Sequence, residues 1–340
     1  MFYNQSTYGT GSSPLALAVG DVTGDMNVDI VTVNYMSNTI SVLFNTGNGT
    51  FLPHAQYTVG SYPGSAAIAD INNDNKSDII VANLGSGKIS VLLNAGNGIF
   101  LNQTMYATDA YPSSVIVADL NNDYQLDIIV TNSAGNNVSV FINAGGGIFE
   151  NQTTYPTGSS PLSSAVIDVN NDNQPDILVA NSGSSTMSVL LNTGNGTFGF
   201  QTTFATGSSP QSMAVADLNQ DGKPDVVVAN YDSDSMSILL NTGSGSFYPQ
   251  MTYTVGDGPQ TVAVADMNSD DAIDIIVTNS NSNNIAIYIN AGNASFPNKT
   301  MYSTRASPAF GTAVDLNNDG KADLIVTNSG FNDVAIRLHC

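Results

Sequence analysis

The 340 residues include 28 Asp and Glu against 7 Lys and Arg, which gives a formal charge of -21. Nucleic-acid binding relies on a basic surface, so this balance argues against a nucleic-acid partner. A hydrophobic content of 41% is enough to bury a core, so the acidic residues belong to a folded chain. One Cys and two His exclude a disulfide framework and a Cys/His zinc site, and no apolar run reaches the ~18 residues of a membrane span.

The first predicted element is an outer strand within residues 1–10, because Phe2 and Tyr8 have the same spacing as Phe51 and Tyr57 further on. This strand has no preceding partner, so we expect it to pair with the last strand of the chain. The opening residues lack the basic and apolar regions of a signal peptide, which leaves open that the chain is the mature part of a longer protein.

Four extended segments with a hydrophobic period of two follow in the first unit, at 15–21, 29–34, 40–45 and 55–59. An Asp-rich loop separates the first two segments. The Gly-rich segment NTGNGTF at 45–51 predicts a hairpin loop, where glycine adopts positive φ without steric cost.

The same unit recurs seven times at a step of 49 residues, and each unit contains a Pro, a Phe and an Asp-rich loop. The loops start at Asp21, Asp70, Asp119, Asp168, Asp217, Asp266 and Asp315. Seven units of four antiparallel strands without a helical pattern predict an all-β, seven-bladed β-propeller that forms one domain, 1–340. Closure of the last blade by the N-terminal strand removes exposed sheet edges.

Each Asp-rich loop has carboxylates at its first, fifth and ninth positions, Asn or Thr at the third, and a backbone carbonyl available at the seventh. Oxygen donors at this spacing suit calcium better than magnesium, which demands stricter octahedral geometry. The alternative is a simple Asp/Asn turn. The candidate ligands, with the seventh position acting through its carbonyl, are Asp21, Thr23, Asp25, Asn27, Asp29, Asp70, Asn72, Asp74, Lys76, Asp78, Asp119, Asn121, Asp123, Gln125, Asp127, Asp168, Asn170, Asp172, Gln174, Asp176, Asp217, Asn219, Asp221, Lys223, Asp225, Asp266, Asn268, Asp270, Ala272, Asp274, Asp315, Asn317, Asp319, Lys321 and Asp323.

The loops D-x-N-x-D-x-x-x-D and the hairpins N-x-G-x-G-x-F resemble the FG-GAP or VCBS repeat family, which includes the head of integrin α subunits. The resemblance implies that each loop joins the first two strands of a blade and binds calcium, in up to seven structural sites. The family often has Gly at the sixth loop position, which is kept here only at Gly222 and Gly320. Met26, Tyr124 and Asp271 adopt a left-handed backbone less readily, so we expect weaker binding in the first, third and sixth loops.

In such blades the loops and hairpins share one face, and the turns near the repeated Pro form the opposite face, where the sequence varies. Tyr62 and Tyr111 hold equivalent positions in neighbouring units and are the first candidates for partner binding, followed by Tyr35 and Tyr231. The other variable positions are Lys88, Asp109, Asp232, Asp234, Arg305, Phe310 and Phe331. The recurring aromatics Tyr57, Tyr106, Tyr155, Phe204, Tyr253 and Tyr302 are expected to pack between blades.

These patterns predict a calcium-binding, non-catalytic recognition or adhesion scaffold that is monomeric and binds a protein partner. Calcium sites of extracellular modules have Kd values of ~10⁻⁴–10⁻³ M, which favours a secreted or cell-surface setting. Two alternatives stay open: a lectin, or a domain of a polysaccharide-acting enzyme, since proteins of both kinds resemble this family. His54 and His339 have no adjacent catalytic partner in the sequence and are interpreted as surface histidines, and Cys340 has no partner for a disulfide.

Overall fold

The chain is described by a computed structural model over residues 2–339. Met1 and Cys340 lie outside the described residues, so the Cys340 side chain is not placed, and the predicted domain bounds 1–340 stay a prediction. The described residues form seven four-stranded antiparallel sheets arranged in a ring, which confirms the predicted seven-bladed all-β propeller. Within this range one 3-10 turn, Tyr231–Ser233, interrupts the strands and turns.

The N-terminal strand is β1 (Ser6–Gly9), and each later blade runs from an inner strand to an outer strand. Blades one to three contain β2 (Pro14–Gly20), β3 (Asp29–Asn34), β4 (Thr39–Leu43), β5 (Ala55–Thr58), β6 (Pro63–Ala69), β7 (Asp78–Asn83), β8 (Lys88–Leu92), β9 (Thr104–Ala107), β10 (Pro112–Ala118), β11 (Asp127–Asn132), β12 (Asn137–Phe141) and β13 (Thr153–Pro156). Blades four to six contain β14 (Pro161–Ile167), β15 (Asp176–Asn181), β16 (Thr186–Leu190), β17 (Thr202–Ala205), β18 (Pro210–Ala216), β19 (Asp225–Asn230), β20 (Ser235–Leu239), β21 (Met251–Thr254), β22 (Pro259–Ala265), β23 (Asp274–Asn279), β24 (Asn284–Ile289) and β25 (Asn298–Ser303). Blade seven contains β26 (Pro308–Val314), β27 (Asp323–Asn328), β28 (Asp333–Arg337) and β1.

The second strand of every blade is buried along its whole length, because neighbouring blades cover both of its faces. This explains the continuous Val, Ile and Leu runs at these positions, where alternation with polar residues would be costly. Each inner strand carries a β-bulge directly after its proline; in blade three Pro112 faces Asn132 and Ser114 faces Thr131, so Ser113 is the extra residue.

Hydrophobic clusters fill the spaces between adjacent blades around the whole ring. At each boundary an aromatic ring of one outer strand meets the hairpin Phe of the next blade edge-on, with centroids 5.2–5.8 Å apart. The pairs are Tyr8–Phe51, Tyr57–Phe100, Tyr106–Phe149, Tyr155–Phe198, Phe204–Phe247, Tyr253–Phe296 and Tyr302–Phe2. The recurring aromatics therefore pack between blades, as predicted.

The seventh blade is closed by the N-terminal strand, as the sequence predicted. Tyr8 of β1 lies opposite Val334 of β28, and the backbone N–H of Tyr3 donates to the carbonyl of Leu338 over 2.8 Å. Phe2 pairs with His339 and stacks on its ring at a centroid distance of 4.9 Å.

A buried asparagine at the start of each hairpin in blades one to six joins neighbouring blades. In blade three, Nδ2 of Asn143 donates to the carbonyl of Ile71 in blade two over 2.8 Å and to the carbonyl of Leu126 in its own blade over 3.0 Å. The equivalent residues make the same bond to the preceding blade, and blade one bonds to blade seven. They are Asn45, Asn94, Asn143, Asn192, Asn241 and Asn290.

We predict that Asn143→Ala lowers the free energy of unfolding by about 3 kcal/mol, because it leaves two buried carbonyls without donors. For a chain of 340 residues this corresponds to a loss of about 4 °C in Tm. Thermal melting followed by circular dichroism measures the change. Asn151→Ala, an exposed position of the same blade, is the matched control. Equal melting temperatures for the two variants would show that the asparagine does not join the blades.

Candidate functional sites

The seven Asp-rich loops share one conformation, built around the carboxylate of the first Asp. In the fourth loop, the Asp168 carboxylate accepts backbone N–H bonds from Asn171 and Asn173, each over 2.7 Å, and from Asp172 over 3.2 Å. The side-chain oxygen of Asn170 accepts the N–H of Asp172 over 3.0 Å. Bonds of this kind bend the loop into a tight turn and point side-chain oxygens into it.

Two positions of every loop have left-handed backbone. The sixth position has φ between 61° and 82°, including Met26 at 68°, Tyr124 at 66° and Asp271 at 65°, so the conformation that the sequence favoured only for Gly and Asn occurs in all seven loops. The side chains of Met26 and Tyr124 are 86% and 88% exposed, which avoids clashes. The fourth position is also left-handed, from Gly24 onwards, and this was not predicted.

The ninth Asp of each loop is fully buried below the turn. In the third loop, one carboxylate oxygen of Asp127 accepts the N–H of Leu120 over 2.9 Å, and the other accepts the N–H of Asn143 over 2.8 Å. Burial raises the pKa of the ninth carboxyl in every loop, and the carboxylates at the first and fifth positions raise it further. The pKa reaches about 6 in Asp78, Asp127 and Asp176.

Two fifth-position carboxylates have a lysine partner from the seventh position. Nζ of Lys76 lies 3.0 Å from Asp74, and Nζ of Lys223 lies 3.2 Å from Asp221. The hydrogen bond from Lys76 lowers the pKa of Asp74. A metal ion in these two loops would compete with an exposed ion pair, which is weak.

The structure places the candidate ligands of each loop on one tight turn at one face of the ring, with the ninth carboxylate buried below that turn. Three mutually repelling carboxylates, an amide or hydroxyl oxygen and a carbonyl form the hard-oxygen donor set that calcium accepts. Within residues 2–339, no three His, Cys, Asp or Glu side chains are close enough to hold a metal ion by themselves. Calcium binding by these loops therefore stays a prediction, which relies on the additional amide, hydroxyl and carbonyl oxygens.

The opposite face, called the variable face below, contains the turns between second and third strands and the segments that precede each repeated Pro. Tyr35 and Tyr62 meet here with ring centroids 5.0 Å apart, and Met36 beside them is exposed. Tyr62 and Tyr111 are 45% and 57% exposed. Both have left-handed backbone, at φ 52° and 59°. We call Tyr35, Tyr62 and Tyr111 the tyrosine row.

Tyr231 does not join the tyrosine row. It belongs to blade five, whereas the row spans blades one to three, and its hydroxyl donates to Oδ1 of Asn281 over 3.3 Å. Arg305 is also engaged locally, since its guanidinium lies 4.9 Å from the Phe331 ring centroid and pairs with Asp333.

Two kinds of cavity were not predicted from the sequence. One lies on the propeller axis at the variable face, lined by the residue pairs that follow the repeated prolines, among them Phe310. The sequence signal that could have indicated this cavity is the variation of the residues directly after each repeated Pro. The others are three equivalent rim pockets of about 370, 420 and 380 Å³ between adjacent blades, each beside an edge-on aromatic pair: Tyr155–Phe198, Tyr57–Phe100 and Tyr8–Phe51.

Neither histidine lies in an arrangement typical of catalysis. Nδ1 of His54 bonds to the carbonyl of Gly9 over 2.8 Å. His339 lies against Phe2 at the closing blade, and burial lowers its pKa. His339 thus has a packing position rather than the open surface position expected from the sequence.

The family model of the FG-GAP-like repeat matches six overlapping segments of the chain, at 21–81, 70–130, 119–179, 168–228, 217–277 and 266–326. The chain belongs to the FG-GAP-like repeat family. This confirms the resemblance that the loops and hairpins indicated. A comparison with curated proteins found no match.

Solved structures confirm the fold of this FG-GAP-like repeat protein. A lectin from Agrocybe aegerita that recognises non-reducing terminal N-acetylglucosamine is 20% identical, with a TM-score of 0.62 over 87% of this chain and 81% of the lectin. BBS1N, solved in complex with ARL6DN, is 12% identical, with a TM-score of 0.70 over 99% and 96%. Virginiamycin B lyase from Staphylococcus aureus is 13% identical, with a TM-score of 0.69 over 100% of both chains. These similarities establish the propeller architecture and leave the activity open. None of the described residues forms a helix that could cross a membrane.

The pKa of the ninth carboxyls predicts the pH dependence of stability in EDTA. A carboxyl with a higher pKa in the folded chain takes up protons on folding, so stability rises as the pH falls from about 7 towards the unfolded value of ~3.9. Seven groups act in this direction. His339 and the carboxyls of Asp25, Asp74, Asp221 and Asp266, whose pKa values are lowered, act against it, and the four carboxyls do so mainly below about pH 5. We expect Tm to increase by at least about 3 °C between pH 7.5 and pH 5.

Melting in 0.5 M NaCl is the control, because salt screens the repulsion of exposed charges and affects buried groups less. If the buried carboxyls cause the increase in Tm on acidification, that increase persists in 0.5 M NaCl. A Tm that stays constant or falls on acidification contradicts the assignment.

Proposed function

We propose that this protein is a calcium-stabilised, non-catalytic recognition scaffold that acts outside the cell and binds a protein partner through the tyrosine row. The tyrosine row carries this proposal. At the position before the repeated Pro, five blades have Ser or Gly, and only the second and third have Tyr. A left-handed backbone is energetically unfavourable for Tyr, and the blades with Ser or Gly show that the fold does not require Tyr at this position. The exposed tyrosines therefore favour a role in recognition.

The charge distribution supports the calcium component. Three carboxylates in each of seven loops account for 21 of the 28 Asp and Glu, and all 21 belong to the loop face. The backbone N–H groups of each loop already fix the carboxylates in a tight turn, so a cation would meet a preorganised site. Sites of this class fill at extracellular calcium and stay empty at resting cytosolic calcium, which is why we place the protein outside the cell.

We predict that calcium raises the Tm relative to EDTA, since a site filled at ten times its Kd adds about 1.4 kcal/mol. The quantity to compare is the calcium-dependent increment of each variant, because Asp→Ala at the first position also removes acceptors for loop N–H groups. Asp217→Ala should lose more of this increment than Asp21→Ala, since Gly222 adopts the left-handed sixth position without steric cost, whereas Met26 adopts it at a conformational cost.

Asp232→Ala, on the opposite face, is the control and should keep the full increment. Identical melting in EDTA and in 10 mM calcium contradicts the structural role of the metal. Equal losses in the two loop variants contradict the ranking of the loops.

Binding of a protein partner is tested with Tyr62→Ala/Tyr111→Ala. A panel of purified extracellular and cell-surface domains is screened by biolayer interferometry against the unmodified propeller, and each hit is repeated with the variant. We expect at least a tenfold weaker affinity, as is common when exposed aromatic anchors are removed. Tyr124→Ala is the matched control, because Tyr124 is also an exposed, left-handed tyrosine but lies on the loop face. If the hits bind the unmodified propeller, the double variant and Tyr124→Ala with the same affinity, the tyrosine row is not the binding surface.

A sugar-binding function is the second candidate, and the three rim pockets favour it. Equivalent pockets in several blades suit a repeated small ligand, and an aromatic ring in each offers a surface for a pyranose. Phe200, which projects fully into solvent beside the pocket of Tyr155 and Phe198, distinguishes the candidates. Saturable binding on a glycan array that is reduced in Phe200→Ala and unchanged in the tyrosine-row variant supports this candidate over the first.

A further inference from the structure

The cavity on the propeller axis is a built feature of the variable face. It has a volume of about 230 Å³, and all seven inner strands contribute to it. Its wall consists mainly of the two residues that follow each repeated Pro, at the position of the β-bulge. The bulge frees the first residue of each pair from regular strand pairing, so its side chain varies without loss of the blade.

The wall carries no charge. Among the described residues that line the cavity there is no Asp, Glu, Lys, Arg or His, although the chain has a net charge of -21. A charged ligand would leave its charge without a partner in a partly enclosed space, which is costly. The cavity therefore selects for an uncharged ligand.

The wall combines polar and apolar residues. Ser113, Gln211 and Gln260 contribute polar groups from blades three, five and six, and Leu162 of blade four lies between the first two. Phe310 of blade seven and Leu15 of blade one form an apolar arc across the axis. Leu84 extends this arc in blade two, where Gly64 leaves the space that its side chain occupies.

The two glutamine side chains are available to a ligand. The carboxamide of Gln260 makes no hydrogen bond with any residue in 2–339, and Nε2 of Gln211 makes only a long bond of 3.4 Å to Ser182. The hydroxyls of Ser212 and Thr261 behave differently, since each accepts a backbone N–H from the next blade over 3.3 and 3.1 Å. These hydroxyls join neighbouring blades of the wall, and both glutamines line the cavity.

We propose that the axial cavity binds one uncharged polyhydroxylated ring of monosaccharide size. The volume lies below the ~300–1,000 Å³ of sites for drug-sized ligands, which limits the occupant to about one ring. Such a ring has hydroxyls for the carboxamides of Gln211 and Gln260 and an apolar face for Phe310. This site is separate from the tyrosine row and from the rim pockets, so it does not depend on the function proposed above.

The test is a titration followed by NMR of the side-chain NH₂ signals of Gln211 and Gln260 in the ¹⁵N-labelled protein. The probes are D-glucose, D-galactose and N-acetyl-D-glucosamine, each up to 50 mM, with D-glucuronate and D-glucosamine as charged counterparts. We expect saturable shifts of both glutamine signals with at least one neutral sugar and at least tenfold weaker binding of the charged sugars.

The variant Gln260→Leu removes one carboxamide and should weaken the affinity about 3- to 10-fold, as expected for a lost hydrogen bond. Gln125→Leu on the loop face, at a residue that lines neither the axial cavity nor a rim pocket, is the control and should bind like the unmodified protein. If Gln260→Leu does not fold, as judged from its amide spectrum, Gln211→Leu replaces it. The proposal is overturned if no neutral sugar shifts the two signals saturably, if glucuronate binds equally well, or if shifts occur only at the rim residues.

Discussion

The fold depends on one buried carboxylate in each blade, at the ninth position of the Asp-rich loop. Its two oxygens accept one N–H from the loop and one from the residue that starts the hairpin, which fixes loop and hairpin against each other. In six blades that residue is an asparagine whose amide reaches the preceding blade. A charge buried without these donors would be strongly unfavourable, so local loop geometry and ring assembly are parts of one hydrogen-bond network.

This network explains why the two faces of the ring differ. The loop face contains the residues that the network needs, and they recur at every 49-residue step. The opposite face contains only turns and the segments before the repeated Pro, and its side chains are free to vary once the backbone is satisfied. Tyr62, Tyr111 and Gln260 lie there, at positions where other blades have different residues. Recognition by this protein is therefore expected where the repeat is least regular.

Much of the fold could be predicted because the signals are local and repeated. The strand segments, the closure by residues before Gly9 and the contact of Tyr57 with the next blade follow from periodicity and spacing. The bond from Asn143 to the preceding blade joins residues 72 apart, and no pattern within one unit indicates it. The axial cavity likewise exists only after seven bulges meet around an axis, and the separation of Tyr231 from the tyrosine row depends on the order of the blades.

The closing blade has a histidine where the other six have the linking asparagine. The backbone of His339 keeps the bond to the buried Asp323, but Nδ1 of its ring has no hydrogen-bond partner among the described residues. The boundary between blades six and seven thus lacks the amide link, and hydrophobic packing, which includes Phe2 against Tyr302 and His339, holds it together. A ring of otherwise equal links opens first at its weakest one, so native-state hydrogen exchange of this propeller should begin at that boundary and spread in both directions around the circle.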